Sequence, residues 1–166
     1  MLEVISWISA LTIYATTSLF SASYIEPQYQ VWCYELGSEY DVPAELLIAL
    51  IESESSGNPD AQNGNCKGLC QVNQKWHTDR MEYLDVEDIT DPYGNILVAV
   101  DYLNEIRWDV GEDWAYVLDI YNGNSKAKFY SDNGIVSTYA NKILDRATEI
   151  ESFYCVARAG EEIVNE

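Results

Sequence analysis

One glutamate in the chain stands where a helix could hold it against apolar side chains. The spacing i, i+3, i+4 and i+7, which defines one helical face, is occupied by Leu47, Leu50, Ile51 and Glu54. A carboxyl group at an apolar edge loses hydration, so its pKa rises, and a carboxylic acid that stays protonated near neutral pH can act as a general acid. Glu52 lies off this stripe, so the spacing indicates Glu54; an ordinary glutamate at a frayed helix end is the alternative.

The elements that would position this carboxyl group are mostly helical. Hydrophobic spacing and breaker residues predict helices over residues 28–40, 44–55, 93–108, 114–121 and 136–157. Asp41 is a predicted N-cap, and Pro43 falls in the first turn of the second helix, where its missing N–H is tolerated. The Gly- and Asn-rich residues 60–75 predict loops and a short hairpin. The sum is a predominantly α-helical α+β domain over residues 28–157.

The composition of the 166 residues limits the ligand classes. Asp and Glu number 28 against 9 Lys and Arg, for a net charge of −19, which disfavours nucleic acids and anionic membrane surfaces as partners. Uncharged polar ligands such as sugars remain compatible. The 13 Tyr and 5 Trp suit stacking against sugars, but the number of tyrosines taken alone is better explained by packing in a core.

The two ends of the chain differ from the predicted domain. Residues 1–27 form an apolar leader with Ser21-Ala22-Ser23 as a passable cleavage site, but Glu3 is the only charge where a signal peptide has basic residues. The leader is therefore predicted to be an export signal or membrane anchor, with an amphipathic leader or an ordered arm as the alternative. Residues 158–166 form a predicted acidic, solvated tail.

Four cysteines suggest a disulfide framework. Two disulfides among Cys33, Cys66, Cys70 and Cys155 allow three connectivities. The most natural pairing is Cys66 with Cys70, which closes a tight loop, and Cys33 with Cys155, which joins early chain to late chain. A zinc site that recruits Cys66, Cys70 and His77 has weak ligand spacing. Four reduced thiols are the remaining alternative.

An ordered set of motifs surrounds Glu54. They are Glu54-Ser55-x-x-Asn58-Pro59-x-Ala61, Gly68-Leu69-Cys70-Gln71, Asp91-Pro92-Tyr93-x-Asn95-Ile96, Tyr121-Asn122 and Thr138-Tyr139-Ala140-x-Lys142-Ile143. Over about residues 33–150 this set resembles the soluble lytic transglycosylase domain, a relative of goose-type lysozyme. The resemblance implies a lysozyme-like fold with a short irregular or β-hairpin insert, cleavage of peptidoglycan, and neither a cofactor nor a metal.

The resemblance also implies roles for single residues. Glu54 matches the catalytic glutamate of the family, and Ser55 matches the residue thought to support its carboxylate by hydrogen bonding. Tyr121 and Asn122 match a motif whose tyrosine hydroxyl lies near the acid. Asn95 matches the asparagine of a motif that begins a core helix, where a structural role is expected.

A turn in the resembling segment would line the sugar cleft through Gly68, Leu69 and Gln71. The chain departs from the family here, because Cys70 stands where methionine is usual and Cys66 lies just before the turn. A Cys66–Cys70 disulfide would staple this wall of the cleft. These departures concern the shape of the cleft and its substrate preference rather than the acid.

The chemistry that the resemblance implies needs one carboxyl group. Glu54 would protonate the bridging oxygen of the β-1,4 bond from N-acetylmuramic acid to N-acetylglucosamine, then accept the proton of the muramoyl 6-hydroxyl as a 1,6-anhydro product forms. A hydrolytic lysozyme is the alternative, and it would need a second carboxylate, for which Asp79 is the candidate. A non-catalytic wall-binding or assembly protein of the same fold is a third possibility.

The charge of the chain bears on where such an enzyme would work. A protein with a net charge of −19 should bind an anionic wall weakly. We therefore expect limited, local cutting by a protein positioned by a tether or by a larger envelope, secretion, conjugation or phage assembly. The expected location is extracytoplasmic, or virion-associated if a phage encodes the chain.

Overall fold

The computed structural model describes residues 22–164, with side chains described through residue 154. Three parts of the sequence predictions lie outside the described residues. They are residues 1–21 of the predicted leader, the side chain of Cys155 and the last two residues of the predicted tail. Within the described range, no helix has both the length and the apolar character needed to cross a bilayer.

Seven helices and one small sheet make up the described part of the chain. In order they are α1 (Pro27–Tyr40), α2 (Ala44–Ser55), β1 (Gln62–Asn63), β2 (Cys66–Lys67), β3 (Val72–Asn73), α3 (Thr78–Tyr83), α4 (Pro92–Val110), α5 (Trp114–Tyr121), α6 (Ala127–Asp132) and α7 (Thr138–Val164). The strands form an antiparallel sheet in the order β1-β2-β3, with Asn63 opposite Cys66 and Lys67 opposite Val72. The predicted predominantly helical α+β class is confirmed.

Local capping explains where several helices begin. The Asp91 carboxylate accepts a hydrogen bond from the Gly94 N–H at 2.7 Å ahead of α4, and Asp113 accepts from two backbone N–H groups ahead of α5. The prediction of Asp41 as the N-cap of α2 is wrong. Asp41 ends α1 in a left-handed conformation, with φ of 54°, because the Val42 N–H closes back on the Gly37 carbonyl at 2.9 Å.

The helix that carries Glu54 lies at the centre of the core. Helix α2 packs against α1 on one side and α7 on another, and residues 46–52 are all buried. Helix α2 is therefore buried on more than the one face that its apolar stripe predicts. Glu52, which was predicted to lie off that stripe, is only 8% exposed. A charged partner on α7, Arg146, accounts for this burial.

The last helix is longer than predicted. It begins at Thr138 and continues to Val164, beyond the predicted end at residue 157 and through residues 158–164 of the predicted tail. Its buried side chains, Ala140, Ile143 and Ile150, recur at a helical spacing and face the core. The first turns of α7 thereby lie against the end of α2, where Glu54 is.

Candidate functional site

Glu54 lies in the last turn of α2 and lines a cleft of about 400 Å³. The sheet, the loop after β3, α4 and α5 form the other walls of the cleft. Among the described residues that line it, Glu54 is the only carboxylate. The other polar and aromatic lining side chains are Asn63, Cys66, Gln71, Asn73, Trp76, His77, Tyr102, Tyr121 and Asn122.

Two opposing influences set the ionisation of Glu54. Burial raises the pKa of its half-buried carboxyl group above the ordinary value for glutamate. The Tyr139 hydroxyl, which donates a hydrogen bond to Oε1 at 2.5 Å, and the nearby Lys142 ammonium both favour the carboxylate and lower the pKa. Because burial is the larger effect, the carboxyl group keeps its proton at a higher pH than an exposed glutamate would.

Tyr139 was not predicted as a site residue. It stands at the start of α7, and burial together with the Glu54 charge raises the pKa of its hydroxyl, so the hydroxyl stays protonated and donates. Its motif was visible in the sequence, but the motif carried no role for the tyrosine. The available signal was its place beside the buried stripe of α7, next to Ala140 and four residues before Ile143.

Tyr121, predicted to act near the acid, lies close enough to Glu54 that burial and, to a smaller extent, the Glu54 charge raise the pKa of its hydroxyl, but this hydroxyl bonds to a different group. It lines the same cleft as Glu54, but its hydroxyl donates to the Cys70 carbonyl at 2.8 Å. Burial raises the pKa of this hydroxyl well above the ordinary value for tyrosine. The tyrosine that bonds Glu54 is therefore Tyr139, whereas Tyr121 ties α5 to the turn before Gln71.

The turn over residues 68–71 has a conformation that its sequence requires. Gly68 has φ of +77°, and a Cβ at this position would stand 2.3 Å from Asn95 Nδ2. Gln71 also has a positive φ, of 50°, and its Nε2 donates to the Ala61 and Gly68 carbonyls at 3.0 Å each. Gln71 lines the cleft, whereas Leu69 is fully buried in the core beneath it.

Asn95 holds this turn from below. Its side chain is fully buried, and its Oδ1 accepts from the Cys70 N–H at 2.7 Å. Its Nδ2 donates to the Lys67 carbonyl at 2.9 Å and to the Ile89 carbonyl at 2.8 Å. One amide on α4 thus joins the end of β2, the turn and the loop before α4, and the cleft wall depends on it.

A family comparison agrees with this geometry. The family model described as the transglycosylase SLT domain matches residues 33–133, which include Glu54 and the lining of the cleft. The chain belongs to the transglycosylase SLT domain family. The predicted family and the lysozyme-like fold are thereby confirmed.

One curated relative of this SLT domain is Protein IpgF of Shigella flexneri. The two are 30% identical in an alignment 100 residues long, which covers 55% of this chain and 64% of that protein. The chain therefore spans somewhat less than two thirds of that relative's length. The family match ends at residue 133, so α7 with Tyr139 lies beyond it.

Ser55 of the SLT domain does not support the acid as the resemblance implied. Its hydroxyl donates to the Ile51 carbonyl at 3.2 Å and accepts from the Gly57 N–H at 3.2 Å. Both bonds satisfy backbone groups where α2 ends, because a serine in the last turn reaches its own helix more easily than a neighbouring side chain. Ser55 therefore shapes the end of the helix that carries Glu54.

The predicted disulfide between Cys66 and Cys70 is absent, and both are free thiols. Cys66 lies in β2 and lines the cleft, whereas the turn at Gly68 carries Cys70 into the core, where it is fully buried. Burial raises the pKa of both thiols. Cys33 is also a buried free thiol, and its predicted pairing with Cys155 involves a side chain outside the described residues.

The SLT fold places two further sequence candidates, His77 and Asp79, in different grooves. His77 lines the cleft with its ring 4.6 Å from that of Tyr102, and burial together with Arg80 lowers its pKa to about 4, so the imidazole is neutral at neutral pH. Asp79 instead lies in a separate groove beside Trp108. Within residues 22–154, no group of three or more His, Cys, Asp or Glu side chains could hold a metal ion.

Proposed function

We propose that this SLT domain is a peptidoglycan lytic transglycosylase in which Glu54 acts first as acid and then as base. The observation that carries the proposal is that Glu54 is the only carboxylate among the described residues lining the cleft. A mechanism that uses one carboxyl group twice fits such a site, whereas a mechanism with two carboxylates does not.

The reaction begins with protonated Glu54 at the bond between N-acetylmuramic acid and N-acetylglucosamine. The carboxyl group donates its proton to the bridging oxygen as the C1–O bond breaks, and positive charge develops at C1 of the muramoyl ring. The Glu54 carboxylate then accepts the proton of the muramoyl 6-hydroxyl while O6 bonds to C1. The products are a 1,6-anhydromuramoyl end and a free 4-hydroxyl on the leaving sugar, and Glu54 is protonated again.

The surroundings of Glu54 support both halves of this cycle. Burial raises the pKa of Glu54 and so favours the protonated acid, and the Tyr139 hydroxyl stabilises the carboxylate that remains after transfer. A carboxyl group that was only buried would be a poor base, and one that was only hydrogen-bonded would be a poor acid. We assign Tyr139 the role of orienting and stabilising the Glu54 carboxylate.

The rest of the cleft suits an amide-bearing sugar chain. The side-chain amides of Gln71, Asn73 and Asn122 line it and can bond sugar hydroxyls and N-acetyl groups. Trp76, which is 78% exposed at the cleft, offers a flat apolar face to a sugar ring. Gly68 and Leu69 contribute by fixing the wall that carries Gln71.

Hydrolysis by an inverting lysozyme is the alternative that the cleft does not favour. It needs a second carboxylate about 6.5–9.5 Å from the acid, to activate water. Asp79, the sequence candidate, lies in a separate groove and does not line the cleft. The structure supplies no specific observation in favour of a wall-binding protein without activity.

Mass analysis of the products from purified peptidoglycan tests the proposal. We expect anhydromuramoyl ends from the wild type and at least about a hundredfold loss of release in Glu54→Gln, because the acid is removed. Glu35→Gln, an exposed glutamate on α1, is the matched control and should keep full activity. Reducing ends on the products would indicate a hydrolase, and binding to peptidoglycan without release of fragments would indicate a non-catalytic protein. Activity that survives Glu54→Gln but not Glu52→Gln would contradict the assignment of Glu54 as the acid.

A peptidoglycan substrate sets where the protein must work. We propose an extracytoplasmic location, or association with a virion, with the leader of residues 1–27 as a signal or anchor. The net charge of −19 favours a tether or a larger envelope, secretion or phage assembly over free action on an anionic wall.

A further inference from the structure

A partly buried charge cluster joins three distant parts of the chain at the end of α2. At its centre is the Glu52 carboxylate, whose Oε2 accepts from Arg146 Nε at 2.6 Å and whose Oε1 accepts from Arg146 Nη2 at 3.1 Å. The Ser23 hydroxyl donates to the same Oε1 at 2.5 Å, and Arg146 Nη2 also donates to the Ala22 carbonyl at 2.7 Å. Residues from before α1 thus complete an ion pair between α2 and α7.

The segment of residues 22–25, which we call the strap, is packed as part of the domain. Ile25 is 3% exposed, and a Cβ on Gly57 would stand 3.0 Å from its Cγ2, so this apolar side chain lies directly over the end of α2. The Tyr24 hydroxyl donates to the Glu52 carbonyl at 3.4 Å, and Gln30 Nε2 donates to the Ile25 carbonyl at 2.9 Å. The strap is therefore held by α1 and rests on the helix that carries the acid.

One face of α7 contacts successive residues in the last turn of α2. Three side chains of α7, spaced i, i+3 and i+7, each bond to one residue of α2. The pairs are Tyr139 with Glu54 at 2.5 Å, Lys142 with Ser53 at 3.2 Å and Arg146 with Glu52 at 2.6 Å. Because all three pairs share two rigid helices, a displacement of α7 that separates the third pair also displaces the first. The register of α7 on α2 thus decides whether the Tyr139 hydroxyl reaches the acid.

We propose that the strap is a positioning device for the acid: Ala22 and Ser23 complete the Glu52–Arg146 cluster, and this cluster sets the register that places Tyr139 on Glu54. The inference deepens the proposed function and rests on it. It assigns positioning roles to Ser23, Glu52 and Arg146, which are not among the residues that line the cleft. It also makes residues that precede the family match contribute to the rate of catalysis.

The proposal has a consequence for processing of the leader. A cut after Ser23, at the predicted Ser21-Ala22-Ser23 site, would remove both residues that contact the ion pair. The active enzyme therefore keeps Ala22 and Ser23, and its leader is either retained or cut upstream of them.

Kinetics of Ser23→Ala in the full chain test the positioning role. We expect kcat on peptidoglycan to fall roughly fivefold with KM unchanged, a loss of the size expected for one typical hydrogen bond. Thr148→Ala is the matched control, because this exposed hydroxyl on α7 bonds only to the Leu144 carbonyl of its own helix, and its kcat should not change. An unchanged kcat in Ser23→Ala would overturn the proposal.

A double-mutant cycle separates positioning from general stability. If Ser23 acts through the Tyr139–Glu54 bond, Ser23→Ala should lower kcat little further in a Tyr139→Phe background. Effects that simply multiply would overturn the proposal, since they would indicate independent roles. Arg146→Lys, which keeps the charge but loses the forked donation, gives a second variant and should show the same coupling.

A spectroscopic readout keeps the inference testable if peptidoglycan proves not to be the substrate. The Glu54 carboxyl resonance, assigned by its loss in Glu54→Gln, can be titrated by ¹³C NMR without any substrate. If the loosened register takes the Tyr139 hydroxyl away from Glu54, the carboxylate loses the hydrogen bond that lowers its pKa, so we expect the pKa of Glu54 to rise in Ser23→Ala, as in Tyr139→Phe, and to stay unchanged in Thr148→Ala. An unchanged or lowered pKa in Ser23→Ala would overturn the proposal even where the wild type is inactive on walls.

Intact mass of the protein after export gives an independent test of the boundary. We expect active protein to begin at Ala22 or upstream of it. Recovery of a fully active form that begins at Tyr24 would overturn the proposal, because that form lacks both contacts to the ion pair.

Discussion

In the proposed mechanism, the Glu54–Tyr139 pair adjusts one carboxyl group for two opposite tasks. Burial raises the pKa of Glu54 and so favours the acid, whereas the hydrogen bond from the Tyr139 hydroxyl favours the carboxylate. An acid that must become a base within one reaction needs both influences, and neither residue alone provides them.

Replacing Tyr139 by phenylalanine should shift the pH dependence of cleavage. The hydroxyl lowers the pKa of Glu54, so its loss raises that pKa further, and the alkaline limb of the kcat/KM profile should move to higher pH. Activity at the optimum should fall by about tenfold, because the carboxylate formed after proton transfer loses its hydrogen bond. An alkaline limb that moves to lower pH would show that the hydroxyl does not act on the carboxylate.

Glu54→Gln should stabilise the protein at neutral pH. Burial raises the folded-state pKa of Glu54, so its contribution to stability is complete below the ordinary pKa of glutamate and is lost as the pH rises through the raised value. A neutral glutamine avoids this loss. Thermal melts should show a higher Tm for the variant at pH 7, with the difference vanishing in acid, and a lower Tm at pH 7 would contradict the assigned direction.

At the scale of elements, the turn over residues 68–71 forms a rigid cleft wall because α4 holds it. Gly68 leaves room for Asn95, and Asn95 bonds three backbone groups, the Cys70 N–H and the Lys67 and Ile89 carbonyls. Burying an amide with all of these bonds made costs little, whereas breaking them leaves buried polar groups unpaired. The turn and the helix therefore fold as one unit.

Gly68→Ala should destabilise the protein by about 3 kcal/mol or more, because the methyl group strains a positive φ and displaces the Asn95 amide. Gly64→Ala is the matched control: its φ is also positive, at +61°, but a Cβ there meets nothing within 4 Å. The control should cost about 1 kcal/mol, from backbone strain alone. Equal losses in urea unfolding would contradict the role of the Asn95 contact.

How far the sequence predicts these elements depends on their length and on their local signals. The bounds of α5, 114–121, follow from Asp113 ahead of it and from the Asn122-Gly123 breaker, and the structure reproduces them. Helices α3 and α6 escaped prediction because each has only six residues and no side-chain cap. Strands of two residues likewise carry no periodicity, so only a hairpin was predicted where three strands form a sheet.

The site was predictable as far as its local pattern reached. Glu54 follows from apolar spacing within one helix, but its bond to Tyr139 joins residues 85 apart. The same limit explains Glu52, whose burial depends on Arg146, 94 residues away. The bond from Tyr121 to a backbone carbonyl, in place of the acid, could not be read from residue types, because a hydroxyl can donate to either group.

On the scale of the whole molecule, the net charge of −19 sets how the protein meets its proposed substrate. Repulsion from an anionic wall slows encounter and weakens binding, and salt screens it over a Debye length of about 10 Å at 0.1 M. If the proposed substrate is correct, we expect this domain to need a tether or an assembly that raises its local concentration at the wall.

Sedimentation with purified walls measures this effect without interference from cleavage if Glu54→Gln protein is used. We expect the bound fraction to be small at about 0.02 M ionic strength and to rise severalfold by about 0.15 M, as repulsion is screened. Tight binding at low salt that weakens as salt is added would show attraction, and the charge argument would be wrong.

The bonds from α7 to the end of α2 also bear on the order in which the protein becomes competent during synthesis. Glu54 leaves the ribosome 85 residues before Tyr139, and Glu52 leaves 94 residues before Arg146. A nascent chain that ends before α7 has made the acid but lacks Tyr139 and Lys142, the two residues that favour its carboxylate form. Prematurely terminated translation products should therefore be harmless to the wall of the cell that makes them.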